Sequence, residues 1–254
     1  MIKFTDRALH LISKYRLGKI IQWILENNTS QALPYHNFEH SLYVMINAHE
    51  CWTYEKGEMD YDAIRALLIA ALFHDYNHSG GFFQNDAGNI KQATEGVMTL
   101  SFDDEFGKLR QDIKTHLYAE GVCGIFHGIL IEKTKYPHEP LDDLCEGVEL
   151  YYSINCLADR RRIFTKQEYT LMVNCLRDAD LMQNCNETLI NNLVGIKHES
   201  FKHMTWEEYY KGSIKFLRGI KYKTKYGKTV GKPALKDAIY RLDKFGKLVF
   251  GGKK

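Results

Sequence analysis

The run from Ala70 to Gly81, Ala-Ala-Leu-Phe-His-Asp-Tyr-Asn-His-Ser-Gly-Gly, constrains the fold more than any other part of the chain. An apolar helical stretch ends in His74-Asp75, His78 follows one turn on, and Gly80-Gly81 breaks the chain. Adjacent side chains diverge along a continuous helix. At a helix end, where the backbone turns away, both can reach one point. Histidine and carboxylate are ligands for Zn, Fe or Mn, and a carboxylate can bridge to a second ion. A His-Asp pair can equally be a polar helix terminus, so matching pieces elsewhere decide its meaning.

With 254 residues the chain can fill one sizeable core, and one domain is the better prior. Four prolines and little strand-like alternation predict helices throughout. Spacing and caps predict them over residues 6–26 (capped by Asp6), 38–54, from Asp60 into His74, 86–100, 122–132, 141–159 and 233–245. Pro137 stops the fifth of these. Thr165-Lys-Gln-Glu168 and Thr205-Trp-Glu-Glu208 are capping boxes that open two more. The expected fold class is an all-α helical bundle. Apolar runs such as Leu67 to Phe73 are far too short to span a bilayer, and the N-terminus lacks a signal-peptide pattern, so the expected compartment is the cytoplasm.

The six cysteines form no CxxC pair or finger spacing and are expected as reduced, buried thiols rather than nucleophiles. The net charge of +2 conceals an asymmetry: residues 211–254 hold 14 Lys and Arg against 2 Asp and Glu, leaving the other 210 residues at −10. The expected organisation is a domain over 1–220 and a basic extension over 221–254. Tyr222 and Tyr226 interleave with Lys221, Lys223, Lys225 and Lys228, as in single-strand nucleic-acid binders. Docking of the extension on the chain's own acidic body or on a sister subunit is the better expectation. Leu235, Ile239, Leu242 and Phe245 would supply an apolar stripe and the contact would weaken at high salt. Nucleic acid is the less favoured partner and a homo-oligomer remains open.

Two further pieces accompany His74-Asp75. In Tyr35-His-Asn-Phe-Glu-His40, His36 and His40 stand four apart and can share a helix face, one holding metal and the other acting as an acid. In Asp178-Ala-Asp180-Leu181, alternate helix positions diverge by roughly 200°, so only one Asp faces a given site. Three separate helices thus supply His, His-Asp and Asp.

This ordered pattern resembles the HD superfamily of metal-dependent phosphohydrolases, and within it the cyclic-nucleotide phosphodiesterase type. Tyr35-His36-Asn37-Phe-Glu-His40-Ser-Leu-Tyr-Val44, His74-Asp75-Tyr-Asn-His78-Ser-Gly80 and Ala179-Asp180-Leu181 carry the resemblance over roughly residues 34–182. The chain also looks similar to small HD proteins encoded by bacteria and their phages, which would place it in a host cytoplasm. The resemblance implies His40, His74, Asp75 and Asp180 as ligands of a first ion (Zn, Fe or Mn). Asp75 would bridge to a second, Mg or Mn, and water activated between the two would attack phosphorus. It implies His36 as the acid that protonates the leaving oxygen and His78 as support behind the ligands. Tyr35, Asn37 and Phe216 fall on the substrate side. Two departures stand out. Ser213 occupies the place, three residues before Phe216, where the family carries a base-reading Gln, and only Glu95 represents the usual Glu-rich helix after the HD segment. The expected function is hydrolysis of a phosphodiester bond in a cyclic or signalling nucleotide. The alternatives are an HD nucleotidase or nucleoside-triphosphate hydrolase, or a catalytically silent module that binds a nucleotide or a protein.

Overall fold

The computed structural model describes residues 4–81, 86–101, 124–136, 138, 141, 164–185 and 188–251. Its helices are α1 (Phe4–Lys14), α2 (Gly18–Asn27), α3 (Phe38–Lys56), α4 (Tyr61–Phe73), α5 (Asp86–Ser101), α6 (Gly124–Glu132), α7 (Lys166–Met182), α8 (Leu189–Ser200), α9 (Trp206–Gly219) and α10 (Lys232–Phe250). No strand occurs among the described residues, and the fold is all-α. No helix among them is long and apolar enough to cross a membrane. Beyond Leu141, the helix expected over 141–159 lies outside the described residues, as do Pro137, Cys123, Cys145 and Cys156.

The helix expected over 6–26 is in fact two. α1 ends at Lys14, Arg16 turns with φ of 52°, and α2 starts at Gly18. Asp6 lies inside α1 rather than capping it. The break has a packing reason. Tyr15 and Leu17 are both buried, and an unbroken helix would send residues two apart to nearly opposite faces.

α4 forms the centre. Asp60 caps it by accepting from the Ala63 amide at 3.1 Å, and nine side chains from Ala63 to Phe73 are buried. A helix apolar nearly all round must be enclosed on every side, and α3, α6 and α7 pack against α4. α7 opens with the Thr165–Glu168 capping box and also lies along α3. Where they meet, the Cys51 and Cys175 thiols are buried and reduced, with sulfurs 3.0 Å apart. The core therefore gathers the start of α3, the end of α4 and the end of α7 at one place, which is where the polar motifs lie.

The basic extension belongs to this same core. Tyr222, Tyr226, Leu235, Ala238 and Leu242 are buried in the cluster that holds Val44, Leu68 and Leu176. Asp178, expected on another face of α7, is fully buried and fastens the extension. It accepts from the Lys223 amide at 3.0 Å, the Thr224 amide at 2.8 Å and the Thr224 hydroxyl at 2.7 Å. Tyr226 donates its amide to Glu55 at 2.9 Å and its hydroxyl to Glu50 at 2.6 Å.

Candidate metal centre and its cleft

Four donor atoms from three helices converge. His40 Nε2 lies 3.1 Å from His74 Nε2, and Asp75 Oδ2 is 3.0 and 3.1 Å from them. Asp180 Oδ1 completes the group at 3.5 and 3.9 Å from the same two nitrogens. Each member owes its position to a helix end. Asn37 caps α3 by accepting from the His40 amide at 3.2 Å, which places His40 in the first turn. His74 is the C-cap of α4, and Asp180 lies in the last turn of α7, held one residue earlier where Asn47 Nδ2 donates to the Ala179 carbonyl. The C-terminal ends of two helices favour positive charge at their meeting point.

The donor set fits a metal ion. Two ligands each about 2.1 Å from a tetrahedral ion stand about 3.4 Å apart, close to the spacing found. His74 Nδ1 donates to the Ala71 carbonyl at 2.8 Å, which leaves the Nε2 lone pair facing inward in the neutral ring. Both histidines are 2 % exposed, whereas the Asp180 side chain is 34 % exposed, so the centre opens on the Asp180 side. The local field favours positive charge at His74. Burial disfavours charge on His74, yet the adjacent Asp75 carboxylate outweighs it and lifts its pKa to about 9. Burial likewise opposes ionisation of Asp75, and the His74 and His36 rings overcome it and hold the carboxyl well below its usual range.

Beside this group stands a second one of His36, His78 and Glu199; this trio and the trio of His40, His74 and Asp180 each have the spacing to hold a metal ion. His36 Nδ1 contacts Glu199 Oε1, His78 Nδ1 lies 3.4 Å from the same oxygen, and the two imidazoles stack at 3.6 Å. The other oxygen, Oε2, accepts from the Tyr35 and His36 amides at 3.1 and 3.2 Å. Those bonds, and burial of the carboxylate side chain to 1 % exposure, make Glu199 a clamp on the Tyr35–His36 segment. Burial raises the Glu199 pKa, but the hydrogen bonds from His36 and His78 outweigh it and hold the carboxylate ionised. Burial favours a neutral His36, and the Asp75 charge with the Glu199 hydrogen bond and charge outweighs it and raises the ring's pKa.

A cleft of about 510 Å³ runs past both groups, bordered by Tyr35, His36, His78, Asp180 and Phe216. Tyr35 is buried with its hydroxyl against the Asn184 side chain, and Phe216 meets the Tyr136 ring edge-on at 5.2 Å. Asp86 accepts from the Tyr136 amide at 3.3 Å, and Asn89 holds Ser79 at 2.7 Å. Asn37, expected on the substrate side, commits its amide to the α3 cap and to the Leu33 carbonyl at 2.9 Å instead. Ser213 turns its hydroxyl to the Tyr209 carbonyl at 2.9 Å. Sequence reasoning overlooked Glu199 and Asn184. Glu199 sits in Lys197-His198-Glu199-Ser200, which has the look of a solvated helix end and stands 163 residues from its partner. No protein-family model and no curated protein matches the chain, so its function rests on this geometry.

Proposed function

We propose that the protein is a metal-dependent phosphohydrolase of the HD type, cleaving a phosphodiester bond in a cyclic or signalling nucleotide. One observation carries the reading: a cluster of four possible metal donors, reached through Asp180, and a carboxylate-clamped histidine border the same cleft of about 510 Å³. His40, His74, Asp75 and Asp180 would hold a transition ion, and Asp75 has an oxygen to share with a second, Mg or Mn. Divalent ions bound there neutralise phosphate charge and make water a better nucleophile.

The chain's own groups do the rest. Glu199 fixes His36 through Nδ1, so the remaining nitrogen, Nε2, is the one that presents a proton to the leaving oxygen. His78, stacked on His36, keeps the ring from rotating away. Phe216 and Tyr136 offer aromatic edges and faces to a base, while the hydroxyl of Ser213 is already engaged and reads none of its edge.

Product analysis on cyclic and linear nucleotides with added Mn tests the reading, together with metal content. His74→Ala should lose both metal and hydrolysis. His36→Ala should keep its metal and lose roughly 10²–10⁴-fold in rate. Full activity in either variant would overturn the assignment.

A further inference from the structure

The extension carries more positive charge than its docking uses. It is fastened by Asp178, by Glu50 and Glu55 through Tyr226, and by Leu235 and Leu242 with Ile239 packed beside them, whereas Phe245 of the expected stripe is exposed. None of these contacts engages a lysine ammonium group. From Lys221 to Tyr226 burial alternates strictly: Tyr222, Thr224 and Tyr226 point inward, and Lys221, Lys223 and Lys225 point out. Lys228 continues the outward row. Arg218, Arg241 and Lys247 are neutralised by Asp243 or Asp237. Among the described residues, Lys221, Lys223, Lys225 and Lys228 have no ion-pair partner. The inward tyrosines are unavailable as stacking platforms, so what the segment offers is a row of ammonium groups alone.

The row starts at the wall of the cleft. Tyr136 meets Phe216 at 5.2 Å and His138 at 5.3 Å, and its hydroxyl lies 3.8 Å from where a Cβ on Gly219 would stand. Gly219 ends α9, two residues before Lys221. Burial, then the charges of Arg177 and Lys223, lower the His138 pKa to about 4, consistent with Lys223 lying close to that wall.

We infer that Lys221, Lys223, Lys225 and Lys228 form a phosphate track that holds the backbone of a single-stranded nucleic acid and leads one end of it to the cleft. The inference rests on the phosphohydrolase reading only for what happens to the strand there. Lys221 and Lys223 precede the bend at Thr224, and Lys225 and Lys228 lie three apart on the helical turn that follows, where side chains stand about 5–6 Å apart, so neighbouring lysines can meet separate phosphates. The net charge of −10 on the rest of the chain does not forbid this, because salt at 0.1 M screens exposed charges beyond about 10 Å. With no aromatic platform and no base-reading group in the row, binding is independent of sequence and steeply dependent on salt.

Fluorescence anisotropy with labelled dT12 and rU12 tests the track on the full-length protein. Charge reversal at Lys221, Lys223 and Lys225 together should weaken binding at least roughly tenfold at 50 mM salt. The slope of log affinity against log salt should fall by about 2, because each phosphate that a lysine neutralises on a single strand contributes about 0.7 to it. Melting curves certify the fold, and the triple Lys→Gln variant should show the same trend more weakly. Hydrolysis of bis(p-nitrophenyl) phosphate with Mn, which needs no track, should be unchanged in both variants. Absent binding by the wild type, equal binding by the charge-reversed variant, or binding of anionic phospholipid vesicles but not of oligonucleotide would each overturn the track. Lysine-dependent binding without any phosphodiester hydrolysis would leave the track standing and overturn the phosphohydrolase reading instead.

Discussion

At the scale of single residues, Asp178 and Asp180 divide two tasks two positions apart on one helix. Asp180 lies among His40 and His74, while Asp178 is buried under the extension and accepts from two amides and a hydroxyl. Asp178→Asn would turn an amide NH₂ toward those donors and should destabilise the fold by about 1–3 kcal/mol while leaving metal content intact. Asp180→Asn should do the reverse. Thermal melting and metal analysis on both variants separate the roles, and metal loss from Asp178→Asn would exchange them. The convergence of His40, His74, Asp75 and Asp180 was legible because each lies in a short motif whose spacing has a chemical reason. Glu199 was not: a carboxylate reveals its burial only through a fold that brings α8 against the Tyr35–His36 segment. Asn37 was legible as polar and adjacent to the site, but helix starts select asparagine for capping just as strongly.

At the scale of elements, the caps at Asp60, Thr165 and Thr205 were plain in the sequence, whereas the start of α1 and the turn at Arg16 were not. Capping is local, so Asp60, Thr165 and Thr205 each hold the amide that their spacing predicts. The α1–α2 break answers to the core, and residues 6–26 alone keep an acceptable helical pattern through it. The position of α8 is set by two close approaches. Gly81, at φ of 87°, runs so near α8 that a Cβ would lie 2.8 Å from the Ser200 Cα, and a Cβ on Gly195 would lie 2.9 Å from the Pro34 carbonyl oxygen. Gly195→Ala therefore should push α8 outward by a few tenths of an ångström and pull Glu199 off His36. Alanine favours a helix over glycine by about 1 kcal/mol, which offsets the strain, so melting should change little. The rate should nevertheless fall about tenfold or more with metal retained, since His36 loses its clamp. Parallel melting and rate measurements decide, and an unaltered rate would mean that α8 has slack against the loop.

At the scale of the whole molecule, composition divides the chain near residue 220 and packing does not. The charge shift after Lys211 is real, yet the side chains that face inward there are Tyr222, Tyr226, Leu235, Ala238 and Leu242, all within the common core. Charge patterning reports the solvent side of a segment, and only burial reports the other side. Four large side chains at about 1.5–3 kcal/mol each contribute about 6–12 kcal/mol, comparable to the 5–15 kcal/mol that holds an entire domain. Deleting residues 221–254 should therefore abolish the cooperative melting transition rather than lower it by a few degrees. The full chain should melt in a single transition whose midpoint changes little between 50 and roughly 500 mM salt. The sequence suggests salt-weakened docking, but apolar contacts and hydrogen bonds hold the extension in place while the outward lysines stand in solvent, where screening removes nothing from the fold. Circular dichroism on both forms reads this directly. A truncated chain that keeps a cooperative transition at the full-length midpoint would make the extension an appendage, and a midpoint falling steeply with salt would return the docking to its charges.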